Sequence, residues 1–135
     1  MNARMNADAS EAIQVARFRA ALRAFQNETE RVARKSGLTP QRYLLLLMVK
    51  GAADGSGQTT VTDLAERLKL AQSTVTELVK RAETAGLVER EQSEADARVA
   101  HIRMTAEGER LFALVFAGLA TERAQLREAF AALDD

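Results

Sequence analysis

The sequence has no cysteine and no tryptophan, one proline, one tyrosine and one histidine, and aromatic residues make up 4% of the chain. Without cysteine there is no disulfide, no thiolate ligand and no thiol switch, which excludes redox sensing through cysteine. A single histidine, His101, cannot build a histidine-rich metal centre, so neither a metal nor a cofactor is expected. No nucleophile elbow, phosphate loop or zinc-ligand spacing occurs, and nothing therefore points to an enzyme. Long apolar runs are also missing. The longest, Tyr43 to Val49, is too short to span a bilayer, and the polar, alanine-rich start does not read as a signal peptide. A cytoplasmic protein without a membrane partner is the expectation.

An excess of either charge is absent as well: 19 basic residues face 19 acidic ones. The balance is segregated along the chain, net +4 over residues 1–42, −1 over 43–103 and −3 over 104–135. Binding to nucleic acid, which usually draws on a basic surface, must then come from placed side chains and helix N-termini. What the chain does have is alanine and leucine. Hydrophobic residues reach 47%, and their kind favours helix over sheet. The length suits a single domain.

Residues 1–9 show no periodicity and are expected to form a disordered tail before one domain over 10–135. From Ser10 to Lys35, Phe18, Leu22, Phe25, Thr29 and Val32 recur at helical spacing, with Ile13, Ala16, Ala20 and Ala24 as a second stripe. Two apolar faces exceed what a small core needs, so this helix is assigned to a subunit interface as well. Gly37 ends it, and Thr39 with Pro40 opens a buried central helix running to Lys50. Gly51 to Gln58 reads as a surface loop.

Thr60 and Asp63 make an acidic variant of the capping box at the start of a short helix that stops near Lys69. A second helix runs from Ala71 or Gln72 to Ala85, with Gly86 as its stop. Two short helices so close cannot lie in line, and their spacing is that of a helix-turn-helix. Val88–Gln92 and Val99–Met104 then read as two strands around the polar loop Ser93–Arg98. A hairpin after a candidate recognition helix is a wing. Thr105 starts a last long helix with Leu111, Val115, Leu119, Leu126, Phe130 and Leu133 as its stripe, and it is expected to join the first helix at a dimer interface through Phe18, Leu22, Phe25, Leu111, Val115, Leu119, Leu126 and Phe130. The fold class is thus mainly α with a small β-hairpin wing: a winged helix-turn-helix lobe over 39–104 between long dimerisation helices at 10–35 and 105–133.

Leu70–Arg90, with Gln72-Ser-Thr-Val-Thr-Glu-Leu-Val-Lys80 at its heart, Asp96-Ala-Arg98, and Met104-Thr-Ala-Glu-Gly108 resemble the recognition helix, wing signature and following helix start of the MarR (multiple-antibiotic-resistance regulator) family. The resemblance extends loosely back to Thr39-Pro40-Gln41. It implies a homodimer that binds a pseudo-palindromic double-stranded DNA operator, commonly a repressor relieved by a small, often aromatic, effector held between the dimer region and the DNA-binding lobe. Arg17, Arg19, Arg23 and Tyr43 are the candidates for such an effector. The sequence departs from the family in three ways. Family members usually close with two C-terminal helices where this chain offers one shortened or merged stretch; the often basic wing carries Glu94, Ala95 and Ala97; and no cysteine is available for peroxide sensing.

In the recognition helix Gln72, Ser73, Thr74, Thr76 and Glu77 are the candidates for the major groove. Gln pairs bidentately with adenine, Thr packs its methyl on thymine, and Glu accepts from cytosine N4. Ser73 and Thr74 can instead hold phosphate, or Ser73 can serve as a cap and Glu77 as an intrahelical partner of Arg81. Lys80 and Arg81 are candidates for phosphate contact. Arg98 is assigned to an A·T-rich minor groove, with Asp96 and Arg90 orienting the wing through an Asp96–Arg98 or Asp96–Arg90 contact. The other reading is a winged-helix dimer acting mainly as a protein-interaction module, motivated by the neutral charge and the sparse wing.

Overall fold

The apolar helix α2 (Pro40–Lys50) lies at the centre of the fold, and its neighbours are arranged around it. A computed structural model describes residues 8–134 of the chain. Around α2 stand α1 (Ala9–Lys35), β1 (Gln58–Thr59), α3 (Val61–Leu68), α4 (Gln72–Thr84), β2 (Val88–Gln92), β3 (Ala100–Met104), α5 (Ala106–Gly118) and α6 (Ala120–Ala131), followed by a 3₁₀ turn at Ala132–Asp134. Leu45, Leu46 and Val49 of α2 meet Leu64 of α3, Val75 and Val79 of α4, and Ile102 of β3 in one core, each at most 1% exposed. Burying one such side chain contributes about 1.5–3 kcal/mol. Tyr43 stacks on Phe112 of α5 at 5.8 Å between ring centroids, fastening the lobe to the C-terminal helices.

The helix starts follow the local chemistry of the sequence. The hydroxyls of Thr39, Thr60 and Thr105 each accept the N–H three residues on, from Arg42, Asp63 and Gly108. The Asp8 carboxylate caps α1 in the same way by accepting the N–H of Ser10, so the helix begins at Ala9; the remainder of the expected disordered tail lies outside the described residues. Gly86, at φ +78°, closes α4: its N–H reaches the carbonyl of Glu83, and Leu87 N–H reaches that of Ala82.

Three expectations require correction. The stretch after Thr105 is two helices, broken at Leu119, whose N–H turns back to the Phe116 carbonyl. Where Gly118 crosses α1, a Cβ would sit 3.0 Å from Val32 Cγ1, so a glycine permits the close approach. The expected loop 51–58 ends in β1, which pairs antiparallel with β3 and makes β3 the middle strand in the order β1-β3-β2. The wing is therefore part of a three-stranded sheet. Leu44, read as buried with the rest of α2, is 42% exposed.

Along α1 the two stripes separate. Phe18, Leu22, Phe25, Thr29 and Val32 are half-buried toward the body, whereas Ile13, Ala16, Ala20 and Ala24 face solvent. Phe18 meets Phe130 of α6 with ring centroids 6.0 Å apart. Of the residues assigned to a dimer interface, Val115 and Leu119 are at most 1% exposed within one chain, because they pack into the same core as Tyr43 and Phe112. The large apolar side chains left exposed on these helices are Ile13, Val15, Leu114, Phe116 and Phe130.

Candidate nucleic-acid interface

Helix α3 ends at Lys69, whose left-handed backbone (φ 57°, ψ 44°) reverses the chain and lets Leu70 N–H return to the Ala65 carbonyl at 3.1 Å. Ala71 is then the extended N-cap residue of α4 and makes no side-chain cap, so Ser73 is inside the helix and is not its cap. Val75, Val79 and Ala82 bury one side of α4 completely. The opposite side presents Gln72, Ser73, Thr74, Glu77, Lys80 and Arg81 to solvent, with Thr76 half-buried at its edge. The Gln72 amide lies 3.5 Å from the Thr62 hydroxyl, at the limit of a hydrogen bond, and so remains available to another partner.

Glu77 and Arg81 approach to 3.6 Å, both side chains more than half exposed. A pair of this kind contributes little to stability. Gln41, from the first turn of α2, shares a shallow groove with Ser73, Thr74, Glu77, Leu78 and Arg81. Sequence reasoning gives Gln41 no role at the interface, since nothing in the periodicity of α2 places it beside α4.

Across the sheet the hairpin pairs Val88 with Met104 through to Gln92 with Ala100. Ser93 N–H donates to the Val99 carbonyl at 2.8 Å, and Val99 N–H to the Asp96 carbonyl at 3.0 Å, closing the wing loop. Within it the Asp96 carboxylate accepts the N–H of Arg98 at 3.0 Å and the Arg98 guanidinium at 3.2 Å. These bonds, the backbone N–H first, hold the Asp96 carboxyl below its ordinary range. Arg98 itself stands out from the tip with 91% of its side chain exposed.

Arg90 does not orient the wing as expected: it turns back to Glu83 of α4 at 3.2 Å, because its register opposite Ile102 places it by the end of the recognition helix, away from the loop. Arg103 is held between Glu89 at 2.9 Å and Glu91 at 3.1 Å. The strand cations are thus paired in place, and Arg98, paired with Asp96, stands furthest into solvent.

The recognition helix and wing are joined at a tight seam. Thr105 donates its hydroxyl to the Gly86 carbonyl at 2.6 Å and its N–H to the Leu87 carbonyl at 3.0 Å. Gly108 packs so closely under the same turn that a Cβ would lie 2.1 Å from the Leu87 carbonyl oxygen. The start of α5 and the turn that ends α4 are thus in direct backbone contact.

Beside the lobe, a cavity of about 680 Å³ opens between α1, α2 and the C-terminal helices, with Arg23, Phe25, Tyr43, Leu47, Phe116 and Arg123 on its walls. Of the residues expected to serve an effector, Arg23 and Tyr43 line it; Arg17 and Arg19 do not. No residue of α4 lines it; Phe116 of α5 and Arg123 of α6 do. Arg123, not foreseen from the sequence, lays its guanidinium 3.7 Å over the Phe116 ring and donates to the Phe116 carbonyl. Burial raises the Tyr43 phenol above its ordinary range, and the Arg123 charge opposes part of that rise. Among the described residues no three His, Cys, Asp or Glu side chains converge on a metal-sized site, and no helix is long and apolar enough to cross a membrane.

The MarR family profile matches residues 36–99, from the end of α1 through the wing loop. Among solved structures, the YusO protein of Bacillus subtilis is 30% identical, with a TM-score of 0.63 over 84% of this chain and 77% of its own. The transcriptional regulator Tm0710 of Thermotoga maritima is 27% identical, with a TM-score of 0.62 over 85% and 76%. A cysteine-to-serine mutant of MarR from E. coli, complexed with operator DNA, shares 16% identity but superposes at a TM-score of 0.70 over 95% and 94%. No curated protein matches the chain by sequence.

Proposed function

The chain belongs to the MarR family of winged helix-turn-helix transcription regulators, a family of regulators and not of enzymes, and from that premise we propose that it is a homodimeric, sequence-specific repressor. It binds a pseudo-palindromic operator and is released by a small aromatic ligand. The observation that carries this reading is the pairing of an exposed polar face on α4 with a wing whose outward cation, Arg98, is almost fully solvated. In this reading α4 enters the major groove and reads base edges with Gln72, Thr76 and Glu77. Ser73, Thr74, Lys80 and Arg81 take the phosphates, and Arg98 enters the adjacent minor groove. The related E. coli protein solved with operator DNA has the same fold, which supports the assignment.

The exposed Ile13, Leu114 and Phe130 on the terminal helices supply the apolar surface for a symmetric dimer, and a two-fold dimer requires a two-fold operator. The cavity beside Tyr43 suits the effector. It is mostly apolar, and Arg23 and Arg123 on its walls can meet a carboxylate or phenolate.

Selection of fragments of the source genome by the purified protein, run beside Arg98→Ala, tests the reading. A shared palindromic site, weakened in the variant and strongly salt-dependent, is the expected result. No enrichment at low salt by folded dimer would overturn it. That outcome favours the second reading, a protein-interaction module, which rests on one observation: Arg81, Arg90 and Arg103 around the interface are each held in an ion pair. A dimer bound to DNA but released by no member of a panel of aromatic acids would remove the effector half alone.

A further inference from the structure

Resting on the DNA-binding reading above, we propose that Glu77 fixes base identity at one step of each operator half-site, accepting a hydrogen bond from an exocyclic amino group in the major groove and excluding guanine from that position. The first two turns of α4 expose an amide, two hydroxyls and one carboxylate, at Gln72, Ser73, Thr74 and Glu77, and no cation. Guanine is most often read by the fork of an arginine or by lysine, and it offers only the acceptors O6 and N7 to the major groove. Lys80 and Arg81 lie a turn further along. Thymine offers an acceptor and a methyl group; the donors a carboxylate can meet are cytosine N4 and adenine N6.

The placement of Glu77 fits this role. It lies opposite the buried Val75 and Val79, in the groove formed with Gln41, Ser73, Thr74 and Leu78, with 58% of its side chain exposed. Its ion-pair partner, Arg81 at 3.6 Å, is similarly exposed, so the pair does little to hold the helix. What the pair does accomplish is local. A bare carboxylate facing the phosphates of DNA is repelled, and an arginine one turn on offsets part of that repulsion.

The test is sequencing of duplexes selected from a randomised library by the wild type, Glu77→Ala and Arg81→Ala, each first shown to be folded by circular dichroism. The wild type is expected to select cytosine or adenine at one half-site position about tenfold over guanine, the discrimination one good base contact provides. Glu77→Ala loses that preference at that position alone. Arg81→Ala binds more weakly at every sequence and keeps the preference. Guanine selected by the wild type throughout the half-site, unchanged preferences in Glu77→Ala, or loss of the preference only in Arg81→Ala would each overturn the proposal. Selection of no sequence by the wild type would instead bring down the DNA-binding reading on which it rests.

Discussion

Replacing Gly108 with alanine sets two effects of opposite sign against each other. Gly108 lies within the first turn of α5, where alanine is favoured over glycine by about 1 kcal/mol. A view limited to helix propensity therefore predicts stabilisation. The structure predicts the reverse, because the new methyl would meet the Leu87 carbonyl oxygen at 2.1 Å, and reaching even 3.0 Å requires the helix start and the turn to part by about 0.9 Å. Both partners are backbone, so no rotamer change relieves the clash. Overpacking costs about 1–3 kcal/mol where side chains can yield, and the upper end applies here.

Separation also stretches the two bonds from Thr105 to Gly86 and Leu87, each contributing about 1 kcal/mol. After the propensity gain the net loss is about 2–4 kcal/mol, which corresponds to roughly 8–16 °C in melting temperature for a chain of this size. Thermal unfolding followed by far-ultraviolet circular dichroism at fixed protein concentration measures it. An unchanged or higher melting temperature would show that the seam yields freely and that its closeness does not couple α4 to α5.

Arg67 donates to the carbonyls of Gly51 and Met48 at 3.0 and 3.4 Å, closing the end of α2 from α3; Arg67→Ala is expected to lower stability by about 1 kcal/mol, and an unmoved urea midpoint would contradict this. The folded Asp96 carboxyl titrates below the ordinary 3.8, so its contribution to wing order is full above that value and is lost as pH falls through the lowered one. Carboxyl chemical shifts followed by NMR check this, and titration at or above 3.8 would refute it. The double substitution Ile13→Glu and Phe130→Glu places charge on the exposed apolar faces of α1 and α6 and should give monomers by sedimentation, whereas a dimer of unchanged strength would place the interface elsewhere.

The parts of the fold legible from sequence are those whose cause is local. Thr39, Thr60 and Thr105 mark helix starts through a bond three residues long, and Gly86 marks a stop through a backbone angle that other residues resist. β1 stays hidden because two residues have no periodicity, and its existence depends on β3, more than forty residues away. The break at Leu119 has a signal in Gly118, but the reason for that glycine is Val32 on another helix. Val115 and Leu119 read as partner-facing from their heptad-like spacing, which cannot distinguish a neighbour within the chain from one in a second chain. At the interface the exposed row on α4 follows from the 3.6-residue period, whereas the partners of Arg90 and the arrival of Gln41 depend on tertiary placement.

Because β3 is flanked on both sides, the wing has a fixed root and a free tip. An insertion within β3 would disturb two ladders and the buried Ile102 together, while residues added between Ser93 and Arg98 would extend the loop and leave every strand pair in place. Helix α4 and the wing loop can therefore vary independently. In the proposed DNA-binding reading, lengthening or shortening the loop alters how far Arg98 reaches along a neighbouring groove without re-aiming α4, which would change flanking-sequence preference around an unchanged central half-site.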